Sequence, residues 1–218
     1  MSHPYQVEPA QPEWPRLSGN IYCIGRNYAD HAKELGNEVP AEPVVFLKAP
    51  SALRRLAEGP LAFPDETFHH ELELVLLVGR HMKVQSDVGP DSMAAVTLGL
   101  DLTRRAVQDQ LKKKSLPWTI AKSFSGAAVL APFVSAQDLD LTKIDLQLEV
   151  NGEVKQVGHT RDMLFPCYTI LHYLLSLQNL FPGDLIFTGT PSGVGPVRRG
   201  DQLRVFSEAL QMNAEGRL

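Results

Sequence analysis

The chain is poor in cysteine, has no long apolar run and carries no excess of positive charge. Only Cys23 and Cys167 occur in 218 residues, and neither belongs to a CxxC pair. That excludes a disulfide framework and a cysteine zinc site, and fits a reducing cytoplasm. No apolar run approaches the roughly 20 residues that cross a bilayer, so no membrane partner is expected. The N-terminal MSHPYQVEPAQPEWP lacks the apolar core of a secretory signal. A net charge of −4 leaves no electrostatic footprint for nucleic acid. The run Lys112-Lys113-Lys114 reads as a solvated helix face. The loop TGTPSGVG, residues 188–195, lacks the Gly-Lys-Ser/Thr ending of a phosphate-binding loop, which argues against a nucleotide.

What is present suits one well-packed domain. Hydrophobic residues make up 44% of the chain and charged residues 21%, ordinary values for a globular protein. Residues 1–16 hold four prolines and little periodicity and read as an extended arm; residues 17–218 form the domain. NIYCIG, PVVFLKAP, FHHELELVLLVG and MAAVTLGLDLT read as strands. NYADHAKELG reads as a helix capped by Asn27 and stopped by Gly36, and RRAVQDQLKKK and CYTILHYLLSLQNL as two more. IDLQLEVNGEVKQVG is a hairpin pattern, with Leu146, Leu148 and Val150 alternating into Asn151-Gly152 and then Val154 and Val157. GDQLRVFSEAL reads as the last strand. Strands outnumber helices and the helices fall between them irregularly, which predicts an α+β, β-rich fold with antiparallel or mixed sheets.

Chemistry enters at Glu71 and Glu73. Alternation along a strand points both to one face, just before the apolar run Val75–Val78. Two carboxylates at the edge of a core are costly without a positive partner. A third acid, Asp101, ends another apolar strand, where aspartate is disfavoured. Three carboxylates would make an oxygen-only site suited to Mg²⁺, Mn²⁺ or Ca²⁺. Asp101, Arg105 and Gln108 fall on one stripe if a helix begins there and could hold an anionic ligand. His31 and Glu34, three residues apart on a helix, are either a surface ion pair or a carboxylate-oriented base. Lys122 is a lone cation among apolar neighbours, either snorkelling at the core edge or stabilising a developing enolate. The backbone of the 188–195 loop, with Thr190, could bind a carboxylate.

Taken together, GRNYADHAKELG, EPVVFLKAP, HHELELVLLVG, LDLTRRAVQDQLKKKSLPWTIAKSF and TGTPSGVGPV closely resemble the fumarylacetoacetate hydrolase family. The resemblance is to its small single-domain branch, the acylpyruvate hydrolase and oxaloacetate decarboxylase type. It implies a mixed β-sandwich roll with short helices, assembled as a homodimer, with residues 17–218 as the catalytic domain. It implies that Glu71, Glu73 and Asp101 bind Mg²⁺ or Mn²⁺ and that His31 and Glu34, on a lid helix, activate water. It implies that Lys122 belongs to the catalytic set and that Arg26, Arg105, Gln108 and Thr190 bind the substrate; Lys48, like Arg26, stands at a family-like position. Larger members add a metal-binding acid seven residues before the lid histidine; here that position is Ile24, so three protein ligands are expected. The activity implied is hydrolysis of the C–C bond in small 2,4-dioxo acids, acylpyruvate or fumarylpyruvate, through a metal-stabilised enolate. Oxaloacetate decarboxylation and keto–enol or dienoate isomerisation share that intermediate. The non-enzymatic alternative is a β-rich binding module holding a structural Ca²⁺.

Overall fold

The computed structural model describes residues 19–34, 36, 38–63 and 65–218; the arm expected at 1–16 lies outside them. In chain order the elements are β1 (Ile21–Gly25), α1 (Ala29–Glu34), β2 (Val44–Lys48), β3 (Leu53–Arg55), β4 (Thr67–His70) and β5 (Leu72–Val78). There follow β6 (Met93–Asp101), α2 (Arg105–Lys113), α3 (Thr119–Lys122), β7 (Ala128–Leu130) and β8 (Val134–Ser135). The C-terminal part holds β9 (Asp145–Val150), β10 (Glu153–His159), α4 (Cys167–Leu177), β11 (Leu185–Phe187), β12 (Gly195–Arg198), β13 (Gln202–Ser207) and β14 (Met212–Arg217).

The largest sheet has eight strands in the order β2-β1-β11-β5-β6-β7-β3, with β8 added on β6. It is mixed: β1 runs parallel to β11, and β5 antiparallel to both β11 and β6. A four-stranded antiparallel sheet, β10-β9-β13-β14, lies beside it, and β4 pairs with β12. Leu146, Leu148, Val150, Leu203 and Val205 of the smaller sheet share one core with β1, β5 and β11. The expected α+β, β-rich fold is therefore the one found. β5 is central because its whole LELVLLV run is buried on both faces. α4 buries Cys167, Ile170, Leu171, Leu174 and Leu175, the spacing of an amphipathic stripe. Asn151 (φ 53°) and Gly152 (φ 80°) both lie in the left-handed region, as a type I′ turn demands.

Four expectations change. FHHELELVLLVG is two strands, broken at Glu71, where the chain passes from the small β4–β12 sheet into the large one. Asn27 is no helix cap: its Nδ2 donates to the carbonyls of Phe165 (3.0 Å) and Thr188 (2.7 Å), and its Oδ1 accepts from Phe165 N–H (2.7 Å). It ties the approach to α1 to the start of α4 and the end of β11. The last strand is β14, not β13. On β10, Val154 and Val157 face solvent while Gln156 is buried, the reverse of the apolar pattern.

Candidate active site

The three acids meet because of register. Leu72 lies opposite Leu100 and Glu73 opposite Gly99 on the antiparallel β5–β6 ladder. One step further, the Asp101 N–H donates to the Glu71 carbonyl (2.9 Å), and the same register reaches the bridge between His69 and Thr103. Opposed residues share a sheet face, so Glu71, Glu73 and Asp101 converge. Each offers an oxygen within 4.8 Å of the others, and all three are buried.

Cations answer them unevenly. The Lys122 ammonium donates to Glu71 Oε2, Asp101 Oδ2 and Thr103 Oγ1, each at 2.7 Å. Arg105 pairs with Glu71 and donates to Gln108 Oε1 (2.5 Å). Lys48, fully buried at the end of β2, stands 2.6 Å from Asp101 Oδ1. Among the described residues Glu73 has no ion pair, only the Gly189 N–H at 2.7 Å. Gly189 (φ 100°) must be glycine here, because a Cβ would come within 2.6 Å of Asn27 Cβ.

The protonation states follow. Burial would raise Glu71, but Lys122 and Arg105 outweigh it and hold its carboxyl below the usual range. Burial, then the charges of Asp101 and Glu71, push Glu73 well above that range. Burial would lower Lys122, yet Asp101 and Glu71 raise it. Cys23 is no nucleophile, since burial and then Asp101 push its thiol far up.

A cavity of about 40 Å³ opens above the acids, room for a few oxygen-sized groups. His31, Arg26, Arg105, Gln108, Lys122 and Thr190 line it together with the three acids. Glu34 does not, but its Oε2 lies 3.3 Å from His31 Nδ1 and its Oε1 accepts from Gly193 N–H (3.1 Å). His31 is buried on a helix of six residues; burial lowers its pKa, against the opposing pull of Glu71 and Glu34. All ten residues singled out in the sequence thus lie in or against one site. Ile24 lines the cavity as well.

Sequence reasoning missed several neighbours. Phe46 and Trp118 form an edge-on pair at 6.1 Å, with Lys122 over the first ring and Lys112 over the second. Lys112 therefore belongs to the cavity and not only to a solvated face. Lys48, placed by the resemblance at a family-like position, gains its partner only here, in Asp101. The Phe46–Trp118 pair gave no local signal, because its partners lie in separate segments.

The residues fit a hard divalent cation. The donors are all oxygens, all three acids are buried, and Glu73 is left without an ion pair among the described residues. Lys48, Arg105 and Lys122 already answer Glu71 and Asp101, so an added divalent ion would leave the pocket positive and ready for an anionic guest.

A cavity of this composition at the turn of a mixed β-roll defines a class. The chain belongs to the family described as fumarylacetoacetate (FAA) hydrolase, C-terminal, whose model matches residues 20–214. It is 43% identical over 202 residues to the human mitochondrial oxaloacetate tautomerase FAHD1, covering 91% of this chain and 90% of that protein. It is 41% identical over 188 residues to a mitochondrial oxaloacetate decarboxylase of Dictyostelium discoideum, covering 84% and 86%. The structure of fumarylpyruvate hydrolase from Pseudomonas aeruginosa, in complex with Mn²⁺ and pyruvate, superposes with a TM-score of 0.86 at 29% identity, covering 100% and 97%. Members of the family are enzymes, and these relatives act on small oxo acids.

Proposed function

We propose that this protein is a Mg²⁺- or Mn²⁺-dependent enzyme of small 2-oxo acids, and that it hydrolyses the C–C bond of 2,4-dioxo acids such as acylpyruvates or fumarylpyruvate. The observation that carries the reading is the convergence of three acids and His31, itself backed by Glu34, on one cavity. Glu71, Glu73 and Asp101 would hold the ion. When bound, it supplies positive charge that orients an oxo acid and stabilises negative charge on the 2-oxo oxygen.

This chain's residues do the rest. Arg105, Gln108 and Thr190 orient the substrate oxygens from the cavity wall, with Arg26 adding positive charge. Glu34 accepts from His31 Nδ1–H, which leaves Nε2 as the basic nitrogen. Neutral His31 takes a proton from water, and the water attacks the 4-carbonyl. The C3–C4 bond breaks, and the electron pair passes to the 2-oxo oxygen, where Lys122 stabilises it.

A second reading is tautomerisation or decarboxylation of oxaloacetate, favoured by the names of the relatives at 43% and 41% identity. It uses the same anion hole and the same Lys122. The test is turnover of acetylpyruvate, fumarylpyruvate and oxaloacetate by the purified protein with Mn²⁺, then with EDTA. We expect dioxo-acid cleavage that EDTA abolishes and Mn²⁺ restores. Turnover of oxaloacetate alone would select the second reading, and activity untouched by EDTA would overturn both. Homodimer assembly, expected from the family, is checked by sedimentation velocity in the same preparation.

A further inference from the structure

β10 breaks its own pattern. Val154 and Val157 lie exposed at 54% and 64%, while Gln156 is buried at 1%. The cause is a shift in the β9–β10 register between Val154 and Gln156, a bulge that re-aims one side chain. Exposing two valines to bury one amide costs stability, and such local violations mark functional positions.

The buried amide is fully used. Its Oε1 accepts from Leu72 N–H (2.9 Å) and meets His70 Nδ1 at 2.8 Å. Its Nε2 donates to Thr190 Oγ1 (2.8 Å) and to the Pro191 carbonyl (3.0 Å). An amide oxygen only accepts, so His70 must carry its proton on Nδ1. His70 and Leu72 flank Glu71 at the very break between β4 and β5. Thr190 and Pro191 form the loop across the cavity, where Thr190 faces the proposed substrate.

We propose that Gln156 is a positioning residue that locks the Glu71 break to the Thr190 loop, setting the distance between the cation site and the substrate-binding wall. One half of the amide holds the acid and the other half holds the loop. The role in binding and turnover rests on the function proposed above; the mechanical coupling does not.

The two halves separate by mutation. Gln156→Met removes both. Gln156→Glu keeps the acceptors for Leu72 and His70 but loses the donors to Thr190 and Pro191. Partners of this kind, one layer behind metal ligands, are worth about 10–100-fold in affinity or activity. Mn²⁺ affinity by titration calorimetry should fall by about that factor in Gln156→Met and stay within about threefold in Gln156→Glu. The KM for the oxo acid should rise in both variants, and Thr190→Val should raise KM without weakening Mn²⁺. A merely structural role would instead lower melting temperature while leaving Mn²⁺ affinity and KM unchanged in the folded fraction; that result overturns the proposal. Hydrogen exchange of the metal-free proteins provides the independent arm. Gln156→Met should lose protection in peptides covering 67–76 and 186–194 together, and unchanged exchange in either peptide would refute the coupling. Should the wild type bind no Mn²⁺ and turn over no oxo acid, the functional reading fails, while the exchange result still decides the role of Gln156.

Discussion

His31 is the residue on which the proposed chemistry turns. Burial depresses its pKa below the free value, and Glu71 and Glu34 pull it back up. The imidazole is therefore neutral near pH 7 and able to accept a proton. kcat/KM should fall as pH drops through a limb below pH 6.5, the free value, and stay level above it. Glu34→Gln removes one of the charges that raise the pKa, so the limb should move to lower pH while kcat drops. His31→Ala should lose about 10²–10⁴-fold in kcat and still bind oxalate. Steady-state rates against pH and oxalate titration check these outcomes; hydrolysis at the wild-type rate in His31→Ala would end the proposed role.

Among the elements, the register of β5 on β6 brings Glu71 opposite Asp101 with Glu73 on the same face, and the bulge in β10 fastens the Glu71 break to the facing loop. The hairpin β13–β14 has a different lock. Asp145, at the start of β9, accepts from Ser207 Oγ (3.2 Å), Glu208 N–H (2.8 Å) and Ala209 N–H (2.9 Å) at the hairpin turn. Burial would raise its carboxyl, but the N–H groups of Ala209 and Glu208 outweigh that and lower it. A depressed carboxylate adds stability above its unfolded pKa, and that stability is lost as pH falls through the folded value. The loss should therefore begin near pH 4 and continue below the ordinary aspartate range. Asp145→Ala should cost about 1 kcal/mol at pH 7, after discounting charged hydrogen bonds for solvent screening. That amounts to about 2–4 °C in melting temperature, and the difference from wild type should shrink below pH 4. Calorimetry at pH 7 and pH 3 measures both.

For the whole molecule, a net charge of −4 conceals a cavity lined by Arg26, Arg105, Lys112 and Lys122, with Lys48 against Asp101 and Glu73 the cavity acid without an ion pair among the described residues. A ligand that binds only the folded state raises stability by mass action. Mn²⁺ at 100 times its dissociation constant should add about 2.7 kcal/mol, or about 5–11 °C. Glu73→Gln keeps the shape and removes a carboxyl whose ionisation burial, Asp101 and Glu71 oppose, so the metal-free protein should melt no lower than wild type. Its Mn²⁺-induced shift should be lost. A full shift in the variant would remove Glu73 from the cation site. Among the described residues no helix is long and apolar enough to cross a membrane.

Sequence alone determined what depends on local pattern. Alternation and periodicity place the strands, α2 and α4, and Asn151-Gly152 specifies its turn through φ. The costly placement of Glu71, Glu73 and Asp101 marks the acids, because buried charge needs a partner wherever it sits. Tertiary structure decided what depends on pairing between distant segments. It broke the third strand at Glu71, since β4 and β5 pair in different sheets. It took Asn27 from capping, because Phe165 and Thr188 offer it three bonds across the core. It turned Gln156 inward, because a register slip of one residue reverses which side chains a strand buries. It also set Lys48 against Asp101, across more than fifty residues of chain, a partnership that no local spacing encodes.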